Sequence, residues 1–270
     1  MRFSNILLSI FAAVGSIAPA WAQETDPPQP ITVSGSASVA SDYRFRGVSQ
    51  SDKEVALQGG ITIAHESGFY IATWGSNLAG WGTFGGANIE LDLVAGYKGE
   101  VGNAAYDVGV TWYTYPGGAD ETDVVELYGK VSGTAGPANL TAGVFYAPKQ
   151  TSLGNFMAHP DGDRDDNLYL SGDGTVGIPN TPLTAKAHIG YSNGNPGLGP
   201  NGTSLSPTGE YFDWLLGVDA TWNQLTLGVA YVDTDITRRE SAYLGSGFSK
   251  TKDGSPIAAS TVVVSLTAAF

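Results

Sequence analysis

Apolar residues recur at every second position in short stretches that break at glycine, proline or aspartate and then resume. Stretch 259–270 shows the pattern cleanly. One face carries Val262, Val264, Leu266, Ala268 and Phe270, the other Thr261, Val263, Ser265, Thr267 and Ala269. A period of two marks an extended strand with an oily face and a wetter one. The same alternation runs through 31–45 (Ile31, Val33, Ala37, Val39, Tyr43, Phe45), 54–64 and 87–98. In the last of these, Ile89, Leu91, Leu93, Ala95 and Tyr97 back onto Glu90, Asp92 and Lys98. It continues around Val108, Leu127, Val144, Ile189, Leu216 and Leu227. Stretch 69–76 is bulky on both faces, and 167–172 is the shortest segment. Together these make twelve predicted strands.

Between them, short and long connections alternate. Segments 65–68, 98–104 and 222–225 are short, whereas 77–86, 148–166, 193–210 and 235–258 are long. Strict alternation sends every long loop to one side, as in bacterial outer-membrane barrels with short periplasmic turns and long outer loops. The expected fold is therefore all-β: a transmembrane antiparallel up-and-down β-barrel of twelve strands over 31–270.

Export follows from the other end. Residues 1–22 combine Arg2, an apolar run and Ala20-Trp21-Ala22, which reads as a cleavable signal peptide. Residues 23–30 then form a proline-rich periplasmic tail. Removing the leader and its Arg2 changes the net charge from −13 to −14, so no basic footprint for nucleic acid exists. The chain has no cysteine, hence no disulfide or thiolate chemistry, and no cofactor is expected. Thirty-seven glycines and thirteen tyrosines suit a turn-rich β-structure.

Aromatics fall near the strand ends on the oily face. Tyr97, Tyr106, Trp222 and Phe270 belong near the periplasmic edge. Tyr43, Trp112, Tyr146, Tyr191, Trp214 and Tyr231 belong near the outer edge. Two belts of amphipathic rings match the two membrane interfaces, with outer-membrane lipids as the partner.

Charges sort onto the opposite face: Asp42, Glu90, Asp92, Asp107, Glu126 and Asp219, with Arg44, Arg46, Lys98, Lys130 and Lys186, and also His188. A basic side chain facing lipid at mid-membrane costs roughly 2–4 kcal/mol, so these groups point inward as candidate pore-lining residues. They could be salt bridges filling a narrow lumen, or a charged constriction that selects ions. Six acids against five bases leave the lumen near balance. The acidic surplus then falls in outer loops at Asp120, Glu121, Asp123, Asp161, Asp163, Asp165 and Asp166. That distribution predicts a weakly cation-preferring pore for small hydrophilic solutes.

Two other constellations are visible. Stretch 161–167 alternates carboxylates like a calcium loop but lacks the glycine at position six and the acid at position twelve. No metal site is therefore expected. His188 and Ser192 share a face, as a membrane hydrolase would need, yet no acid completes them, and His65 and His159 lie in turns or loops. The function classes left open are a porin, a non-conducting surface anchor or adhesin, and a lipid-modifying enzyme.

Specific motifs carry a resemblance. A strand ending in Phe270 resembles the closing strand of outer-membrane barrels, which pairs with the first strand and is read by the barrel-assembly machinery. Ser41-Asp42-Tyr43-Arg44-Phe45-Arg46-Gly47-Val48-Ser49-Gln50-Ser51 resembles the TorF family of porins. So do Gly68-Phe69-Tyr70-Ile71-Ala72-Thr73-Trp74-Gly75-Ser76-Asn77, stretch 89–100 and stretch 225–235. The resemblance implies a non-catalytic outer-membrane barrel passing small solutes.

Overall fold

In the computed structural model, residues 30–159, 162–245, 248 and 254–270 are described, so the expected signal peptide and almost all of the expected tail lie outside them. The described chain closes into one antiparallel barrel of twelve strands. These are β1 (Ile31–Ala40), β4 (Ala56–His65), β5 (Phe69–Asn77), β6 (Ile89–Val101), β7 (Ala104–Thr114), β8 (Val124–Ala135), β9 (Ala138–Gln150), β10 (Asp165–Gly177), β11 (Leu183–Gly194), β12 (Glu210–Trp222), β13 (Leu225–Thr234) and β14 (Thr261–Ala269). Two further two-residue strands, β2 (Arg44–Phe45) and β3 (Val48–Ser49), form a separate hairpin, and a short helix α1 (Arg238–Tyr243) lies in the last loop.

Closure is made between β1 and β14, with Ser36 opposite Ala269 and Ala40 opposite Ser265. The seam extends through Phe270, whose amide donates to Gly35 O at 2.9 Å while Gly35 N donates to Phe270 O at 2.8 Å. The Phe270 ring covers Gly35, where a Cβ would lie 2.8 Å from it. A glycine therefore lets the terminal aromatic lie flat across the joint. Closing the ring satisfies every strand edge, which a hydrocarbon environment requires.

Alternation sorts the faces. Outward residues such as Leu57, Ile71, Leu93, Leu127, Val144, Ile189, Leu216, Val229 and Leu266 are exposed on strand after strand. A continuous apolar exterior of this extent is incompatible with water and fits the lipid of a bilayer. The ambiguous segment resolves the same way, with Phe69 and Ile71 outward and Tyr70, Ala72 and Trp74 buried inside.

Boundaries differ from the sequence reading in several places, and strand 87–98 runs over Ile89–Val101. Strand 54–64 starts later, at Ala56. The short segment 167–172 is a thirteen-residue strand, since glycines and Asp173 dilute its pattern without breaking its pairing. Most consequentially, strand 31–45 stops at Ala40. Asp42 captures Ser49 Oγ at 2.6 Å, Ser51 Oγ at 3.2 Å and Arg44 Nε at 2.6 Å, which turns the chain inward. Residues 44–49 then fold as a hairpin, β2–β3, inside the barrel. Its tip, Arg46-Gly47, uses positive φ of 48° and 79°.

Candidate functional site

The lumen divides into two zones. In the outer half the hairpin crosses the bore. It leaves from β1 and returns to β4, yet its Arg46 reaches β8 and β10 on the far wall. Arg46 Nη2 donates to Glu126 Oε1 at 2.6 Å and Nη1 to Asn167 Oδ1 at 3.1 Å. The guanidinium carbon lies 4.0 Å from the centre of the Tyr169 ring, 4.9 Å from that of Phe45 and 5.9 Å from that of Phe145. Tyr113 OH donates to the other Glu126 oxygen at 3.0 Å, and Tyr211 OH donates to Arg46 O at 3.1 Å.

Arg44 anchors the hairpin base and is wholly buried. Besides Asp42, its Nη1 donates to Gly47 O at 2.9 Å, Ile257 O at 2.8 Å and Ala259 O at 3.0 Å. Ser49 N adds a bond to Ile257 O at 3.1 Å. The final loop thus clamps the hairpin from above.

Tyr43 is a correction. The unbroken 31–45 strand would put it on the lipid face, but the inward turn buries it against Trp74, with ring centroids 5.2 Å apart. Its hydroxyl donates to Glu90 Oε1 at 3.3 Å. Above it, Leu78, Phe84, Tyr115, Leu153 and Leu205 pack into one apolar cluster. Val48, Tyr211, Leu244, Phe248 and Ile257 form a second, with Trp81 against it. The long outer loops are therefore a folded cap. Helix α1 contributes to it through a capping box in which Thr237 and Glu240 bond each other's backbone N–H. Those bonds hold the Glu240 carboxyl below its usual pKa.

The periplasmic half contains charges but no inserted chain among the described residues. Asp107 accepts from Tyr70 OH at 2.7 Å and lies 3.3 Å from Lys130 Nζ and 3.8 Å from Lys98 Nζ. Tyr70 and Tyr128 share a short hydroxyl contact. Lys186 pairs with Asp219 at 2.6 Å. Where the two halves meet, next to the hairpin tip, His188 sits between Asp173 Oδ1 at 2.7 Å and Asp213 Oδ1 at 3.2 Å, with Tyr169 OH at 2.9 Å. Asp173 is 46% exposed although it points inward, so this zone is reached by water.

All twelve candidate pore-lining residues, Lys98 included, lie inside the barrel or its plug. They do not converge on one ring. Glu90 and Asp92 lie on β6 beneath Tyr43, Arg46 and Glu126 join across the bore, and Lys186 and Asp219 pair on the far wall. Two inward acids escaped the sequence reading. Asp213 shares the parity of Asp219, and Asp173 lies just beyond the predicted end of its strand. With them the lumen holds Asp42, Glu90, Asp92, Asp107, Glu126, Asp173, Asp213 and Asp219 against five bases and His188. The near-balance expected from sequence is replaced by an acidic excess. Among the inward tyrosines, Tyr128 shares the polar parity of Glu126 and Lys130 in the sequence, and Tyr70 lies on the strand bulky on both faces. Tyrosines 113, 169 and 211 were not singled out, because period-two reading credits aromatics to the oily face.

On the outside, Tyr97, Tyr106, Trp112, Tyr146, Tyr191, Trp214, Trp222, Tyr231 and Phe270 occupy the lipid-facing parity. Phe69 and Phe212 join them, packed on Tyr97 and Tyr191 at 4.8 Å each. Near the outer edge the polar heads are tied to acids: Trp112 to Asp123, Tyr146 to Asp166, Tyr191 to Glu210 and Tyr231 to Asp233.

Ser192 Oγ donates to Leu205 O at 3.1 Å, while His188 is engaged by acids and Tyr169, so the two make no base–nucleophile pair. Asp161 of the calcium-like stretch lies outside the described residues. Asp163 accepts from Asn155 N at 3.2 Å and Asn195 Nδ2 at 3.4 Å, which with Arg164 N holds its carboxyl below the usual range. Among the described residues no His, Cys, Asp and Glu group could hold a metal ion.

A closed apolar-skinned barrel with a charged, plugged interior defines the class: a porin-like transmembrane β-barrel. Residues 24–270 match a family described as bacterial protein of unknown function (Gcw_chp), and the chain belongs to that family. No curated protein matches it. Among solved structures it is similar to an outer-membrane channel from Pseudomonas putida, at 11% identity over 91% of this chain and 99% of that one, TM-score 0.42. It is also similar to outer-membrane OmpT of Vibrio cholerae (10%, 89% and 97%, 0.42) and an anion-selective porin from Comamonas acidovorans (11%, 89% and 99%, 0.40).

Proposed function

We propose that this chain is an outer-membrane channel for small hydrophilic solutes and ions, cation-preferring, with the 41–55 segment holding it closed. The observation that carries this reading is the nature of the obstruction: the bore is blocked by a loop hairpin fixed by a few polar latches, while the wall is a complete twelve-strand cylinder. The acidic excess inside supports cation preference. Asp173 and Asp213 flank His188, with Asp173 reached by water, and acids inside a lumen are screened less by salt than loop acids are. The TorF-like motif fits this reading, because it spells the hairpin itself. Assembly by the barrel machinery through Phe270 fits the seam it closes.

Reversal potential across a salt gradient tests the proposal at two mean ionic strengths. A cation preference that falls only partly at high salt is expected, since loop acids are screened over about 8 Å at physiological salt while lumenal acids are not. Anion preference would sink it. The apolar packing of the outer loops favours a second reading, a barrel that never conducts and serves as a surface anchor through its acidic loops. Complete absence of conductance would favour that one.

A further inference from the structure

The contacts of Arg46 describe a receptor as well as a latch. Glu126 supplies a carboxylate at one edge of the guanidinium and Asn167 an amide oxygen at the other. Asn167 Nδ2 donates to Asn193 O at 3.1 Å, which fixes the amide oxygen toward the cation. Tyr169 gives a ring face at 4.0 Å and Phe145 an apolar side wall. Ala147, paired with Asn167 on β9, is small and fully buried, so the wall does not crowd the space between the two acceptors. An acid, an amide acceptor and aromatic faces in one desolvated pocket are complementary to a planar organic cation.

All these pocket groups come from the barrel wall, so the pocket persists when the hairpin leaves. Its resident is also an imperfect fit. Arg46 Nε is buried without a hydrogen-bond partner, and the residue sits at φ 48°, which side-chain-bearing residues rarely adopt. A free solute is not tethered to a hairpin and can place its donors without that constraint.

We propose that Glu126, Asn167, Phe145 and Tyr169 form a binding site for a guanidinium-bearing organic cation, which Arg46 fills in the closed state. Such a solute competes with Arg46, releases the hairpin and is itself the class of cargo admitted. The inference rests on the channel reading for its consequence but not for its binding step.

The test uses the full chain in detergent with argininamide as probe and citrullinamide, whose side chain is a neutral urea in place of the guanidinium, as control. Arg46→Gln should vacate the pocket and give saturable calorimetric binding of argininamide at least tenfold tighter than wild type. Adding Glu126→Gln should abolish that gain, and citrullinamide should not bind. Folding of each variant is checked by the mobility shift between unboiled and boiled samples on a gel. If the double variant loses the shift, Asn167→Leu in the Arg46→Gln background replaces it and should weaken binding in the same way. In bilayers, argininamide should raise the open fraction of wild type. Equal binding by wild type and Arg46→Gln, or binding that survives both pocket substitutions, would overturn the site. Binding without any conductance would keep the site and overturn the channel.

Discussion

The two halves of the lumen solve the same problem differently. Both must satisfy inward-facing polar groups. The outer half does so by inserting its own chain, so that Arg44, Arg46 and Glu126 are each matched by specific partners away from water. The periplasmic half buries Lys186 against Asp219 at 2.6 Å but leaves its other groups at partial exposure, with Lys98 3.8 Å from Asp107 and Asp173 half open. Buried pairs depend on geometry and lose much when one partner is removed, whereas wetter pairs are buffered by solvent. Charge in this barrel is therefore structural above and, around Asp107 and Asp173, adaptable below.

That contrast predicts a graded response to mutation. Glu126→Ala leaves Arg46 buried and uncompensated. It should lower the free energy of hairpin opening by about 3–5 kcal/mol, read as lost hydrogen-exchange protection over 41–55. The β9–β10 ladder should keep its protection. Gly47→Ala comes next. A Cβ there would sit at φ 79°, 2.3 Å from the Thr234 methyl, and should loosen the same segment by about 1–3 kcal/mol. Asp107→Asn, in the wetter half, should cost about 1 kcal/mol or less in thermal stability. A loss as large as that from Glu126→Ala would erase the distinction between the halves.

Acid should act weakest, and on the cap. Asp163 has a depressed carboxyl pKa from its bond to Asn155 N and further donors. Its contribution is complete above the unfolded carboxylate value near 3.9 and vanishes as pH falls through the lower folded one. Proteolysis of loop 151–164 should rise only below about pH 4 and should be suppressed by no buffer at neutral pH. Asp163→Asn should remove that acid step.

Sequence made the wall legible and hid the plug. Period-two alternation fixes which side of a strand faces lipid, so strand count, closure and loop asymmetry could be read from residues such as Leu91, Leu93 and Glu90. The same rule carried 31–45 straight through, because Tyr43 and Phe45 continue the apolar parity. What bends the chain is Asp42 gathering Ser49 and Ser51 from seven and nine residues away, a contact that no periodicity reports. Asp213 was within reach of the parity argument. The partnership of Arg46 with Glu126, eighty residues on, requires knowing that the segment crosses the bore.

The central claim is that a removable hairpin closes an otherwise continuous channel. Single-channel recording of the wild-type chain beside one in which residues 44–49 are replaced by a glycine-serine linker tests it directly. The account predicts a mostly silent wild type with brief openings, and a steadily open, cation-preferring conductance in the hairpin-less barrel. Equal conductance in both, or silence in both from barrels shown to be folded, would contradict it.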